Sequence, residues 1–392
     1  MATEKIFLVS AIMLAWTYMF YPALVFSLSV ICKRRKTLND KQQPRVAISL
    51  PAVSVIMSVF NEEKVISEKI RSLLLSDYPP ELTEFIIGSD ASTDGTDEIM
   101  MKFAASDDRI KYHRNSIRTG KAAMLNELVA MANGSILIIT DANVIFSGAT
   151  VRLLASEFAS SSTGLCDTTV VPSASPGHGI TRQENLYSRF ETSLRRAEGN
   201  VWKAMTGPYG GCYAVRRELF PVIPDNTLVD DLYVGLSVMR KGFASYNVRD
   251  AVVYEDTQPG MADQYRRRVR IAAGSFQNLF RFGPFPSPRV NASFAYFSHK
   301  VLRWFTPLFL TLLFMTTVIL SGRSVLYFCL VAVQLILILL SALDLTFDKF
   351  GRTIILPRYV TQFLLMNAAL TAGFVKAVRG IKNGIWEPTK RV

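Results

Sequence analysis

Residues 53–63 read VSVIMSVFNEE, and this stretch decides the fold. A run rich in Val and Ile that stops at a polar cluster is the pattern of a buried strand ending in a loop. Two comparable apolar runs follow at 84–89 and 135–140. Helical-looking stretches at 65–76, 94–105 and 121–132 separate and follow them. Strands alternating with helices predict an α/β fold with a doubly wound, mostly parallel sheet. Such sheets bind ligands at the carboxyl ends of their strands, so the polar clusters there are the first candidates for a site. After Asn143 the pattern is less regular, yet it stays globular to about Gln277.

Outward from this domain the chain becomes lipid-like. The 392 residues are 49% hydrophobic, high for a wholly soluble protein. Residues 6–32 carry no charge and end in Lys33-Arg34-Arg35-Lys36. About 20 apolar residues cross a bilayer, and a cleaved signal would carry its basic flank before the apolar run. The positive-inside rule puts everything after Lys33 in the cytoplasm. The expected order is a membrane helix over 1–32, a basic linker over 33–52, a cytoplasmic globular domain over 53–290, a membrane region over 291–380 and a basic tail over 381–392. Within the membrane region, 303–320 and 325–343 read as a hairpin joined by Ser321-Gly322-Arg323-Ser324. A third run, 359–378, carries Lys376 and either crosses or lies at the surface. Three crossings would put Arg379, Lys382, Lys390 and Arg391 outside, against the positive-inside rule.

The net charge of +12 gathers beside apolar stretches, which favours an anionic membrane face or an anionic substrate over nucleic acid. Four scattered cysteines and three dispersed histidines suggest neither a disulfide framework nor a His-based metal site.

The polar clusters carry the chemistry. Asn61-Glu62 ends the first strand and Ser89-Asp90-Ala91-Ser92-Thr93-Asp94 the second, where short polar side chains also serve simply as helix caps. Gly120-Lys121 sets an ammonium at a helix start, a place that also favours phosphate. Asp141-Ala142-Asn143 follows the third strand with two oxygen donors two positions apart, suited to a hard divalent cation or to a plain turn. Tyr209-Gly210-Gly211 combines close backbone approach with a flat aromatic face. Adjacent Asp230 and Asp231 can raise one pKa by the other's charge, which suits a general base; an acidic helix start is the simpler alternative, and Glu255 is a fallback base. Arg266-Arg267-Arg268-Val269-Arg270 suits a departing diphosphate, or a membrane-surface helix whose apolar side includes Phe276 and Phe280.

Taken in order, these segments resemble the membrane glycosyltransferases of family 2, the group of cellulose, poly-N-acetylglucosamine and hyaluronan synthases. The resemblance implies a GT-A fold with one N-terminal and two to three C-terminal membrane helices. It implies that Asn61 and Glu62 line a uridine pocket, that Asp90 bonds the base and that Lys121 sits by the donor. By the same resemblance, Asp141 and Asn143 stand for the DxD motif that holds Mg2+ or Mn2+, with Asn143 a neutral departure that weakens the metal site. Tyr209, Gly210 and Gly211 match the acceptor-side loop. Asp231 matches the general base, with Asp230 supporting it. Arg267, Arg268, Arg270 and Ile271 match a Gln-Arg-x-Arg-Trp motif, with Arg267 and Arg270 at donor positions and Ile271 in place of the Trp, which argues against processive polymer synthesis. The implied activity is inverting transfer from a nucleotide sugar, a UDP-sugar by this likeness, to a glycan or lipid-linked acceptor. It would act in cell-surface or extracellular polysaccharide synthesis, at the inner face of a bacterial plasma membrane. A nucleotide-sugar-binding scaffold without turnover is the alternative, favoured by Asn143 and Ile271. A transporter needs more crossing helices than this chain supplies.

Overall fold

The computed structural model describes residues 1–39, 50–172, 179–255, 261–350 and 355–385. Most of the expected linker, 40–49, and the tail beyond residue 385 lie outside the described residues, as do the side chains of 33–36.

The centre of the globular domain is an eight-stranded mixed sheet. Its strands are β1 Val53–Val59, β2 Thr83–Ser89, β3 Ile110–Arg114, β4 Ile136–Thr140, β5 Val144–Phe146, β6 Thr163–Pro172, β7 Cys212–Arg216 and β8 Ala244–Glu255. The order is β3-β2-β1-β4-β7-β6-β8-β5. From β3 to β4 all pairings are parallel, as the alternating pattern requires. β7 then runs antiparallel to both β4 and β6, and β5 runs antiparallel to β8, so the far half is mixed. β1 and β4 are near-continuous apolar runs because helices cover both their faces.

Those helices are α2 Ile66–Leu74, α3 Thr96–Ser106, α4 Lys121–Ala130, α5 Thr150–Ser156, α6 Gly179–Trp202, α7 Asp230–Arg240 and α8 Met261–Phe282. One core cluster joins Val55, Met57, Ile70, Leu73 and Ile138 on one face of the sheet. Another joins Ile56, Met124, Leu128, Leu137 and Val234 on the other.

The apolar helices pack onto this body. α1, Ala2–Cys32, buries Tyr21 and Val25 against Leu194 and Ala197 of α6. The Tyr21 hydroxyl donates to Glu198 at 2.7 Å. The apolar run expected over 303–320 is broken: α9, Val290–Trp304, and α10, Thr306–Leu320, meet at 58°. Pro307 explains the break, since proline fits the first turn of a new helix and not the interior of a continuing one. α11, Val325–Lys349, and α12, Ile355–Val378, complete the set. α1, residues 325–348 of α11 and residues 356–378 of α12 are each long and apolar enough to cross a bilayer.

α12 runs beside α8. A Cβ on Gly373 would stand 2.4 Å from Ala272 Cβ, and Phe374 meets Phe276 at 5.0 Å between ring centroids. Phe276 is therefore buried, while Phe280 is 57% exposed, so the apolar side expected to rest on a membrane is only half available. After α12 the chain returns to the sheet domain. Asn226 Nδ2 donates to Ile381 O at 3.0 Å, and a Cβ on Gly384 would stand 2.5 Å from Asp225 O.

Candidate active site

The strand ends converge on a cavity of about 930 Å³. Asp90, Asp141 and Asp231, contributed by β2, the loop after β4 and the first turn of α7, all line it. Glu62, Lys121, Asn143, Tyr209, Gly210, Gly211, Asp230, Arg267 and Arg270 line the same space. Of the residues to which the family resemblance gives a base, donor, acceptor or metal role, Asn61 alone stands outside this lining, on the exposed tip of its loop.

Two strand ends hold backbones in the left-handed region, Asn61 at φ 55° and Ala91 at φ 59°. Asparagine tolerates this, whereas alanine is strained there. The loops brace each other: Thr93 N donates to Asn61 Oδ1 at 2.8 Å, and Asn61 N donates to Ser92 Oγ at 3.1 Å. Asp90 is turned the other way. Its carboxylate accepts from Thr119 N at 2.7 Å and Gly120 N at 2.8 Å, fixing the turn that starts α4. Gly120 has φ 94°, which a side chain would resist. Arg118, in that same turn, stacks 3.7 Å above the Phe60 ring centroid, and both line the cavity.

Lys121 joins the two acidic centres, with its Nζ 2.8 Å from Asp141 Oδ1 and 3.5 Å from Asp230 Oδ2. Burial pulls the Lys121 pKa down, but the Asp141 and Asp230 charges outweigh it and leave the ammonium more firmly protonated than usual. Burial pushes the Asp141 pKa up, and Lys121, with help from Arg267 and Arg270, brings it below the ordinary carboxylate value.

Asp231 behaves oppositely. Burial and then the Asp230 charge push its pKa up to about 7. Gly210 leaves room for it, since a Cβ there would lie 2.8 Å from Asp231 Oδ2. Glu255 is occupied: it accepts from the Tyr209 hydroxyl at 2.5 Å and from Asn143 Nδ2 at 3.3 Å, with Arg267 at 3.9 Å. Arg270 Nη1 reaches Leu228 O at 3.4 Å, and Ile271 lines the cavity where an aromatic ring was missing from the motif. Arg266 points away and pairs with Asp263.

Among the described residues no three His, Cys, Asp or Glu side chains gather as a metal site. The local donors are one carboxylate, Asp141, and one amide oxygen, Asn143. That all-oxygen pair fits a hard cation that takes most of its shell from substrate phosphates and water.

Sequence reasoning missed Lys69, which is fully buried in α2. Its ammonium donates to Thr140 Oγ1 at 2.9 Å and to Val144 O, and lies 3.8 Å from the Phe146 ring centroid. It thus fastens both ends of the Asp141–Asn143 loop. Burial draws its pKa down to about 7. The available signal was positional, because Lys69 shares the buried stripe of Ile66, Ile70 and Leu73.

Comparison with known proteins agrees with this geometry. The family model described as Glycosyl transferase family 2 matches residues 54–223. "Probable glycosyltransferase YdaM" of Bacillus subtilis (strain 168) is 27% identical over 248 residues, 59% of this chain and 57% of that protein. A "Beta-monoglucosyldiacylglycerol synthase" of Nostoc sp. is 34% identical over 103 residues, 26% of this chain and 22% of that protein. The chain therefore spans little more than half the length of the first and about a fifth of the second. Among solved structures, the mannosyltransferase PcManGT from Pyrobaculum calidifontis, in complex with GDP-Man and Mn2+, superposes with a TM-score of 0.64 at 23% identity. That match covers 94% of this chain and 98% of the other. The strand-end site and the sheet order agree with the matched segment: residues 54–223 match Glycosyl transferase family 2, and the fold is of the GT-A kind.

Proposed function

We propose that the protein is an inverting glycosyltransferase that moves a sugar from a nucleotide donor, a UDP-sugar by family likeness, to an acceptor hydroxyl. The observation that carries this reading is Asp231, a carboxylate with a pKa near 7, in the same cavity as Asp141, Lys121 and Arg270. In a single displacement Asp231 takes the acceptor proton while the hydroxyl oxygen attacks the anomeric carbon. Lys121, Arg267 and Arg270 offer positive charge to the leaving diphosphate. Asp141 and Asn143 would hold a divalent cation, Mg2+ or Mn2+, which when bound neutralises diphosphate charge. Phe60 and Arg118 present flat faces suited to a nucleobase, next to Asp90.

The acceptor is a glycan or a lipid-linked molecule reached from the inner face of a bacterial plasma membrane, with cell-surface or extracellular polysaccharide synthesis as the setting. The contacts of 381–385 support an even number of crossings between the domain and the chain end, which keeps Arg379 and Lys382 on the cytoplasmic side with it.

The test is Asp231→Asn in purified, membrane-reconstituted protein supplied with radiolabelled nucleotide sugars and a divalent cation. Transfer falls by about 10²-fold or more while donor affinity is nearly unchanged. A variant retaining over about a tenth of wild-type transfer removes Asp231 as the base. Wild-type protein that binds nucleotide sugars and never turns them over is the scaffold of the alternative reading.

A further inference from the structure

The cavity has a second arm that donor chemistry does not use. Beyond Asp231 it continues between α6, α8, α9 and α12, lined by Leu186, Phe190, Trp304, Phe363, Met366 and Leu370. Leu186, Phe190 and Phe363 stay 49%, 39% and 36% exposed. Stable soluble proteins rarely leave several large apolar side chains together in water, and such a patch marks a binding surface. Tyr18 of α1 lines the same arm, which sets the arm against a helix apolar enough to cross a bilayer. Sugar hydroxyls would find few partners there, whereas an alkyl chain loses nothing on leaving the lipid.

One face of α6 leads from this arm to the acceptor loop, through Tyr187, Glu191 and Arg195 at four-residue spacing. Arg195 Nη1 reaches Gly207 O at 3.3 Å and Asp167 Oδ2 at 2.5 Å. Arg303 Nη1 pairs with Glu191 at 2.6 Å, and Lys300 and His299 share that carboxylate. Both arginines line the cavity, at 6% and 8% exposure, and in both the Nε–H has no hydrogen-bond partner among the described residues. Two buried donors without acceptors on one cavity wall ask for a ligand that supplies them, and phosphate oxygens do so.

We propose that the apolar arm holds the hydrocarbon tail of the acceptor, that Arg195 and Arg303 hold a phosphate on it, and that a saccharide joined to that phosphate offers its hydroxyl to Asp231. This rests on the transferase reading above and names its acceptor class. The saccharide is required because Asp231 serves only a nucleophile that must lose a proton; a bare phosphate oxygen has none to give. The hydroxyl oxygen bonds to the anomeric carbon as the bond from that carbon to the donor diphosphate breaks. The proton passes to Asp231, and the electron pair leaves with the nucleoside diphosphate.

The experiment uses full-length protein in phospholipid nanodiscs and three acceptors bearing the same saccharide: one on a polyprenyl phosphate, one on diacylglycerol without phosphate, and one free in solution. Donor hydrolysis to water is followed in parallel. The phosphate-linked acceptor is expected to exceed the neutral glycolipid by about 10- to 100-fold in kcat/KM, the worth of charge-assisted hydrogen bonds. Met366→Trp, which narrows the arm, is expected to lower kcat/KM for the phosphate-linked acceptor about tenfold or more relative to the free saccharide in the same preparation. Equal use of the neutral glycolipid overturns the phosphate site, and equal use of the free saccharide overturns the arm as a tail site. Both results leave the transferase reading standing. Absence of any turnover, hydrolysis included, refutes both.

Discussion

As the proposed base, Asp231 is expected to set the working pH. A general base acts ionised, and burial beside Asp230 raises its pKa to about 7, so acid protonates it early. kcat/KM is expected to rise tenfold per pH unit below about 7 and to level above it, read from initial rates across buffers of constant ionic strength. A flat profile down to pH 5 contradicts this assignment. Lys69 works at one remove. With its ammonium gone, Thr140 and Val144 lose the donor that fixes the loop carrying Asp141 and Asn143. Lys69→Met is expected to lower kcat by about 10²-fold, the usual consequence of displacing a catalytic group by an ångström, and to raise the metal concentration needed for half-activity. Titrating Mn2+ against rate in both proteins checks it. At this scale the sequence revealed acids at strand ends because their neighbours announce a strand. It did not reveal Lys69 or Arg195, since a basic residue on an amphipathic helix reads as exposed until a partner from another part of the chain buries it, nor Arg303, which stood at the start of an apolar run.

Among elements, β1, β2 and β4 were legible to within a residue because each is a short apolar run bounded by polar loops. β6 and β8 were not, since threonines, Asp167, Asn247 and Arg249 interrupt their apolar pattern. Asp167 is buried there as the anchor of the loop that carries Tyr209, accepting from Tyr209 N at 2.8 Å and pairing with Arg195. The break at Phe305 was missed because hydropathy runs through it, although Pro307 marks it. Gly210 tests how closely the acceptor loop is fitted to α7. Gly210→Ala would press a methyl group against Asp231 Oδ2, and kcat is expected to drop about 10- to 100-fold with little change in donor affinity. Kinetics together with isothermal titration of the nucleoside diphosphate separates the two effects.

For the whole molecule, the contact of Ile381 with Asn226 constrains how the chain can thread a bilayer. Lys382→Cys and Gly322→Cys are expected to react with a membrane-impermeant maleimide from opposite sides of sealed vesicles, with Lys382→Cys on the catalytic side. Labelling of both from one side removes the hairpin reading of α10 and α11. The sheet itself imposes a last condition. Thr140 faces Cys212 across the antiparallel β4–β7 pair, Asp141 N donates to Gly211 O at 3.0 Å, and Thr140 Oγ1 donates to the same oxygen at 3.1 Å. Anyone redesigning this enzyme's specificity therefore inherits a coupled unit: a replacement for residues 209–212 has to be transplanted with 140–143, because exchanging one half alone detunes the other substrate's cradle.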